Sequence, residues 1–556
     1  MSRAEMDALG WDELDVLLIS GDAYVDHPTF GAALLGRWLV AHGYRVGIAA
    51  QPDWRDPSSI QAMGRPRLLA GVTAGALDSM LAHYTAFRRR RSDDAYTPGG
   101  KAGARPDRAC IVYTNLVKQA FPGLPVVLGG IEASLRRITH YDFWSNKLRR
   151  SILLDAKADA LIYGMAENSL LELTRRLAAA PGEPAAQAVL GVPGTAVMGK
   201  REDLPPDTEV MELPSHEAIV KDVAQLMSAT LALERQVHQG KAWAMQPVGN
   251  RALLLAPPAP PLSTEDMDLL YSLPYTRRAH PFYKQPVPGL ATVATSITSH
   301  RGCGGGCSFC SLALHQSRSI ASRSKASILA EVTSLTQSPH WHGSLSDIGG
   351  PSANMWGGRC IGERAKCTRA SCLTPKACRF FEVDQQAIAA LLEEAADTPG
   401  VKHLRVSSGV RFDLALQSPA YTQTLVRHFV GGQLKIAPEH ISPQVLKLMR
   451  KPAPEVFERF LGEFQKISQA EGKEQYVVPY LLSAFPGCTK QDMAQLAAWL
   501  RKKGWRPQQV QCFVPTPGTV ATAMYYAGVD PQGKPIKVAR GDGERRGQHQ
   551  MLFPKV

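Results

Sequence analysis

Apolar and polar positions along the first 200 residues alternate as strands followed by helices. LDVLLIS, from Leu14, is short and almost continuously apolar, which suits a strand buried on both faces of a parallel sheet. FGAALLGRWLVAHG follows with helical spacing and reaches Gly43, a residue suited to ending a helix. YRVGIAAQP then predicts the next strand and completes a βαβ unit. PVVLGG (Pro125 to Gly130) and ADALIYG (Ala158 to Gly164) predict two more strands. Each ends in glycine at its carboxyl end, where doubly wound sheets bind ligands. Residues 1–214 are therefore expected to form a Rossmann-like α/β domain.

SHEAIVKDVAQLMSATLALERQVHQ, from Ser215, predicts one long helix, and residues 215–290 read as a helical connecting region. A second strand–helix series begins at about residue 291. Its candidate strands are ATVATSITS, GSLSDIGG, HLRVSSG, LKIAPEH, YVVPYLLSAFPG and VQCFVPTPG. Helices such as SPQVLKLMRK and PEVFERFLGEFQKIS separate them. This pattern predicts a partial (β/α) barrel over residues 291–530, interrupted by a cysteine-rich insertion at 351–380. Residues 531–556 are polar and basic and read as a poorly ordered tail.

Length and composition narrow the setting. A chain of 556 residues exceeds one compact core, and 44% hydrophobic with 20% charged residues is ordinary for a water-soluble protein. No apolar stretch is long enough for a transmembrane helix, so no membrane partner is expected. MSRAEMDALGWDEL is acidic and polar, unlike a signal peptide, and the expected location is the cytoplasm. The net charge of +13 fits nucleic acid or simply a basic surface. Arg88 to Arg91 form the densest basic run, but Asp93 and Asp94 follow at once.

Ten cysteines in a cytoplasmic chain do not suggest a disulfide framework. Cys110, Cys488 and Cys512 stand apart and read as small buried hydrophobes. Cys303, Cys307 and Cys310 follow C-x3-C-x2-C on a loop after the first strand of the second series. Three thiolates so spaced can hold three corners of a [4Fe-4S] cluster and leave one iron open, as a catalytic site requires. Gly304, Gly305 and Gly306 let the loop turn close to such a cluster. The same three cysteines with His315 also fit a Cys3His zinc site.

The loop resembles the radical S-adenosylmethionine (SAM) superfamily, whose hallmark is CxxxCxΦC with an aromatic Φ, here Phe309. PVVLGGIEASLRRITHYDFW, LLYSLPYTRRAHPFY, DIGGPSANMWG, LKIAPEHISPQVLKLMRKP and VPTPGTVATAMYY are similar to segments of YgiQ-type radical SAM proteins. The resemblance covers residues 14 to 530. It implies a cobalamin-binding-like Rossmann domain followed by a radical SAM core, with Cys303, Cys307 and Cys310 as cluster ligands. SAM and a cellular reductant such as flavodoxin or ferredoxin are implied with it. Superfamily members often bind SAM at a Gly-Gly-Glu on the second strand. This chain has Gly349-Gly350-Pro351, which keeps the backbone and lacks the carboxylate. Ser408 (beside Ser407), Arg411 and Glu439 end later strands and join Gly349 and Gly350 as candidate SAM contacts. Phe485-Pro486-Gly487 stands where the family has HPG.

Cobalamin is not expected, because Asp26-His27-Pro28-Thr29-Phe30-Gly31 has the wrong spacing for D-x-H-x-x-G; binding without a histidine ligand stays open. Cys360, Cys367, Cys372 and Cys378 form a candidate second metal site, zinc or iron–sulfur. Glu132, His140, Tyr141 and Asp142 read as polar cleft residues or as caps and interface hydrogen bonds, and no residue is assigned as acid or base. The leading reading is a radical SAM enzyme acting on RNA, protein or a metabolite. The alternatives are a metal-stabilised nucleic-acid-binding protein and a degenerate radical SAM fold.

Overall fold

The apolar runs of the first 200 residues do form strands of one sheet in a computed structural model that describes residues 2–507 and 510–553. The strands are β1 (Val16–Ser20), β2 (Val46–Ala50), β3 (Leu69–Thr73), β4 (Val126–Leu128) and β5 (Ala160–Ile162). They lie parallel in the order β2-β1-β3-β4-β5, which is a doubly wound topology. Every residue of β1, β4 and β5 is buried, as their unbroken apolar character requires. The helix Gly31–Ala41 stops where expected, with Gly43 at φ +87° and its N–H donating to the Val40 carbonyl. This sheet belongs to a unit made of residues 1–260, 273–294 and 516–518.

At the carboxyl ends of β1 and β3 the backbones nearly touch. A Cβ on Gly21 would lie 2.3 Å from the Ala74 carbonyl oxygen. Arg105 is fully buried beside this crossing and pairs with Asp94 at 2.8 Å and Asp22 at 3.1 Å. Glu132 is an internal cap: it accepts from the Ser79 N–H and hydroxyl and from the Cys110 N–H. Its neighbour Asp142 pairs with Arg108 at 2.6 Å.

The connecting region differs from the expectation. The strands β6 (Thr195–Gly199), β7 (Val210–Glu212), β8 (Trp243–Val248) and β9 (Arg251–Leu255) extend the same sheet beyond β5 in the order β6-β9-β8-β7. Residues 215–290 thus contribute two strands as well as helices. The long helix is also two, His216–Lys221 and Ala224–Gln239. Asp222 leaves helical geometry at φ −132° and ψ 104°, and its carboxylate accepts the Ala224 N–H at 3.0 Å. Local capping by this side chain starts a new helix where the apolar pattern alone continues the old one.

The second unit comprises residues 261–272, 295–515 and 519–556. Its strands are β10 (Ser296–Thr298), β11 (Ser344–Leu345 continued by Asp347–Gly349), β12 (His403–Leu404), β13 (Gln433–Glu439), β14 (Tyr476–Ser483) and β15 (Val510–Cys512). They correspond to the six expected strands. Parallel ladders join β10 to β11, β11 to β12, and β13 through β14 to β15. Between β12 and β13 the strands form no ladder; the Val406 N–H instead donates to the Phe429 carbonyl. Ile297, Ile348, Leu404, Leu434 and Ile436 line one core with Phe457, Phe460 and Phe464 of the helix Pro454–Ala470. Fold class is therefore as read: a Rossmann-like domain and a partial (β/α) barrel.

The tail also differs from the expectation. Asp542–Gln550 is helical, and Arg545 is fully buried with its guanidinium donating to the Phe513 carbonyl at 2.5 Å. Gln548 donates to the Cys488 carbonyl at 3.2 Å. Both polar residues satisfy barrel backbone, so a hydrophilic segment folds without an apolar face. Residues 554–556 of the expected tail lie outside the described residues.

Replacing Gly21 tests the backbone crossing. Gly21→Ala is expected to lower unfolding free energy by about 2–3 kcal/mol, because a carbonyl oxygen cannot rotate away from the new methyl group. Gly31→Ala, whose Cβ would meet nothing within 4 Å, should stay within about 0.5 kcal/mol of the parent in the same denaturation experiment.

Candidate functional site

The cysteine loop leaves β10 through backbone constraints that fix its path before any side chain acts. The Ser299 N–H donates to the Gly349 carbonyl on β11 at 2.8 Å. His300–Arg301 then pairs antiparallel with Ala321–Ser322 to make the neck of the loop. Gly302, at φ +87°, has no room for a Cβ, which would lie 1.9 Å from the Ser319 carbonyl oxygen. Ser308 pins the far side: its N–H donates to Met449, its hydroxyl to Leu448, and its carbonyl accepts from Ala521.

The thiols of Cys303 and Cys307 face a common space above Gly305. A Cβ there would sit 3.3 Å from the Cys303 sulfur and 3.8 Å from the Cys307 sulfur. Cys310 follows in a tight turn, its N–H donating to the Cys307 carbonyl at 3.1 Å. Burial, and then the neighbouring Cys307, push the Cys310 thiol up to about 12. Burial also raises Cys303, although the Arg411 charge opposes it. Phe309 meets Phe485 edge-on at 6.1 Å, and Phe485 meets Phe513 at 5.4 Å. The position that departs from HPG is thus a fully buried ring in an aromatic stack.

Two buried ion pairs flank the thiols. Arg411 lies 3.3 Å from the place a Gly305 Cβ would take, and its guanidinium bonds Asp413 at 2.6 and 2.9 Å. Burial disfavours its charge, but the Asp413 carboxylate and then the Cys307 and Cys303 sulfurs hold it above the ordinary arginine value. Asn354 brackets the Arg411 backbone through both its amide groups. Glu439 ends β13 in the left-handed region at φ +69°, 3.5 Å from the Lys451 ammonium. Burial raises the Glu439 carboxyl while Lys451 opposes it, and the Lys451 charge also reaches Cys310.

The remaining expected residues gather around β11. A Cβ on Gly349 would strike the Ser408 hydroxyl at 2.4 Å, and one on Gly350 the His300 carbonyl at 2.5 Å. The N–H groups of Ser407 and Ser408 donate to Asp347 at 2.8 and 3.2 Å. The structure therefore brings Cys303, Cys307 and Arg411 together, Cys310 with Lys451 and Glu439, and Ser408 with Gly349. Sequence reasoning named neither Asp347, Asp413 nor Lys451. Only Asp347 lies towards a strand's carboxyl end; Asp413 sits in the short helix Phe412–Ala415 and Lys451 follows the helix Pro443–Met449.

Among the described residues no three His, Cys, Asp or Glu side chains are grouped so as to hold one metal ion. His27 is spent: its ring nitrogens face Thr29 at 2.8 Å and Arg277 at 3.0 Å. Burial, followed by Arg277, drives it down to about 3, so the ring is neutral.

No described helix is long and apolar enough to cross a membrane. A family model described as Radical SAM N-terminal matches residues 1–296, and a domain of unknown function, DUF3362, matches residues 508–553. A UPF0313 protein of Geobacter sulfurreducens is 50% identical, with 100% of this chain and 91% of the relative covered. Another, of Rhodopseudomonas palustris, is 44% identical over 98% of this chain and 85% of its own length. Among solved structures, the radical SAM methyltransferase TsrM from Kitasatospora setae, with tryptophan substrate and a SAM analogue bound, aligns at a TM-score of 0.52 and 14% identity. That alignment covers 92% of this chain and 76% of TsrM. TsrM with cobalamin and a [4Fe-4S] cluster bound aligns at 0.51 and 15%, covering 96% and 84%. A neighbour in fold that carries cobalamin removes the support for expecting none here; the engaged His27 speaks only against that side chain as the cobalt ligand. With half of its residues shared with a relative along its entire length, the chain belongs to the UPF0313 family, the YgiQ-type radical SAM proteins.

Proposed function

We propose that this protein is an enzyme that cleaves SAM reductively at a [4Fe-4S] cluster held by Cys303, Cys307 and Cys310. The observation that carries the reading is the space above Gly305, faced by the Cys303 and Cys307 sulfurs and by Arg411. When bound, the cluster and SAM supply a 5′-deoxyadenosyl radical that abstracts hydrogen from a substrate.

The chain's own residues bind, orient and balance charge. Three thiolates from one loop would serve three irons, and the C-x3-C-x2-C loop itself holds no fourth cysteine. The Arg411 guanidinium, held by Asp413, offsets the negative charge that thiolates bring into a buried site. Lys451 does the same for Cys310 and fixes Glu439, whose carboxylate at the end of β13 is a candidate SAM contact. Gly349, Gly350 and Ser408 are proposed to present backbone and hydroxyl groups to the same ligand. Gly349 does so with its carbonyl already committed to Ser299. Phe309, Phe485 and Phe513 exclude water beneath the loop. The ten cysteines form no disulfide, which suits the reducing cytoplasm and a donor such as flavodoxin or ferredoxin.

Two experiments test this reading. Anaerobically reconstituted protein given dithionite and SAM is expected to produce 5′-deoxyadenosine, and Cys307→Ala none. A parent that carries its cluster and leaves SAM intact would overturn the catalytic reading and favour a degenerate fold. Separately, Gly305→Ala should cut first-site iron severalfold without lowering the melting midpoint, since its methyl group enters the space between two sulfurs. Gly409→Ala, which meets nothing within 4 Å, should keep full iron. Equal iron in the two variants would sink the placement of the cluster above Gly305.

A further inference from the structure

The cysteine-rich insertion is built onto the first cysteine loop, and its backbone gathers its own four thiols. Cys360 lies on a short strand, Arg359–Cys360, whose antiparallel partner is Phe381–Glu382, with Cys360 opposite Phe381. The Phe381 N–H donates back to the Cys378 carbonyl at 3.0 Å, and the Cys378 N–H to the Cys372 carbonyl at 2.7 Å. Cys360, Cys378 and Cys372 are thus linked by consecutive backbone contacts. Cys367 closes a single helical turn, its N–H donating to Arg364 at 3.0 Å. Arg369 braces the intervening loop through the carbonyls of Ser371, Thr374 and Lys376. None of the four forms a disulfide.

Charge and contact with the first loop single out this group. Cys372, the buried member of the four, lies within electrostatic reach of Arg318 and of Cys360, Cys367 and Cys378. Arg364, partly buried, is acted on by Cys360, Cys372 and Cys367. Two arginines therefore stand ready to offset thiolates there. On the inner side, the Cys372 N–H donates to the Gly304 carbonyl at 2.9 Å and the Ser371 hydroxyl to the Gly305 carbonyl at 2.6 Å. A Cβ on Gly304 would press the Phe381 ring at 3.0 Å and the Cys372 Cβ at 3.4 Å.

We propose that Cys360, Cys367, Cys372 and Cys378 hold a second iron–sulfur cluster, which locks the insertion against Gly304 and Gly305. Zinc is the poorer fit. Backbone contacts gather Cys360, Cys372 and Cys378, and Cys367 lies between them in sequence. Only Cys367 and Cys372, as C-x4-C, have the spacing of a zinc-site pair, and Cys360 and Cys378 form no second one. A cluster offers each thiolate a separate or shared iron across a wider span. Exposed Cys360, whose thiol lies 3.8 Å from the Gly362 carbonyl, closes the site from the solvent side.

The test uses the full chain with the first site removed. The triple variant Cys303→Ala, Cys307→Ala, Cys310→Ala, reconstituted anaerobically, is expected to retain about 2–4 iron atoms with matching acid-labile sulfide. It should show the charge-transfer absorption of an iron–sulfur protein, and adding Cys360→Ser and Cys378→Ser should remove both. A folded triple variant without iron, whether metal-free or loaded with zinc, overturns the second cluster and leaves the first-site reading standing. The variant Cys360→Ser, Cys378→Ser alone reads the first site: about 4 iron atoms there keep that reading, and none would overturn it independently. Circular dichroism of each variant separates lost metal from lost fold.

Discussion

The loop from Cys303 to Cys310 is approached from several sides at once, and only glycine backbone leaves room. Gly302 abuts the Ser319 carbonyl, Gly304 the Phe381 ring, and Gly306, at φ +59°, the Ala370 carbonyl, which a Cβ there would meet at 2.4 Å. Gly305 faces the sulfurs. Each glycine answers a different neighbour, so they are not interchangeable flexible links. A side chain at Gly302 or Gly306 would force two backbones apart, and both sit in a conformation that disfavours other residues. The entropy lost on ordering these glycines is offset by fixed contacts. Gly304 and Gly305 accept from Cys372 and Ser371, and Gly306 from Arg450 at 3.2 Å.

The same loop carries an electrostatic problem. Thiols partly buried like Cys303 and Cys310 resist ionisation, because a thiolate short of solvent and counter-charge is costly. Arg411 and Lys451 supply positive charge but would themselves be costly if unpaired. Asp413 and Glu439 settle each cation before any thiolate forms. The arrangement is close to neutral with protonated thiols and would become net negative if they ionised, a charge that a bound cluster would offset. Placing the cations against the thiols, with carboxylates behind them, lets either state persist without refolding.

The legible parts of the molecule were those set by local pattern. Continuous apolar runs marked β1, β4 and β5, and alternation marked the six barrel strands, because burial on one or both faces is written directly in residue type. Gly43 was legible because a helix end has its own chemistry. The break at Asp222 was not, since a single carboxylate overruled an uninterrupted apolar stripe. β8 carries Pro247 and has no clean alternation, so it did not read as a strand, yet it pairs along its length with β9. At the site, the cysteines were legible through spacing and the resemblance. Asp347, Asp413 and Lys451 were not, because their importance lies in which distant backbone or charge they meet.

The basic balance of the chain, which fits nucleic acid or simply a basic surface, is unchanged by burial, since eight arginines and eight carboxylates are buried among the described residues. Arg105, Arg137, Arg323 and Arg545 are among the largest fully buried side chains. Arg105 serves Asp94 and Asp22, Arg323 pairs with Glu331, and Arg545 holds a barrel carbonyl. Even the run at Arg88 is partly structural, since Arg88 stacks over Phe143 at 4.8 Å. A guanidinium suits these tasks because it is weakly hydrated and donates in several directions from one plane. Charge counts report composition, whereas recognition depends on exposed charge. In the proposed reading the chemistry belongs to seven cysteines of two adjoining loops, and the charges of Arg411, Arg364 and Arg318 act on their thiols.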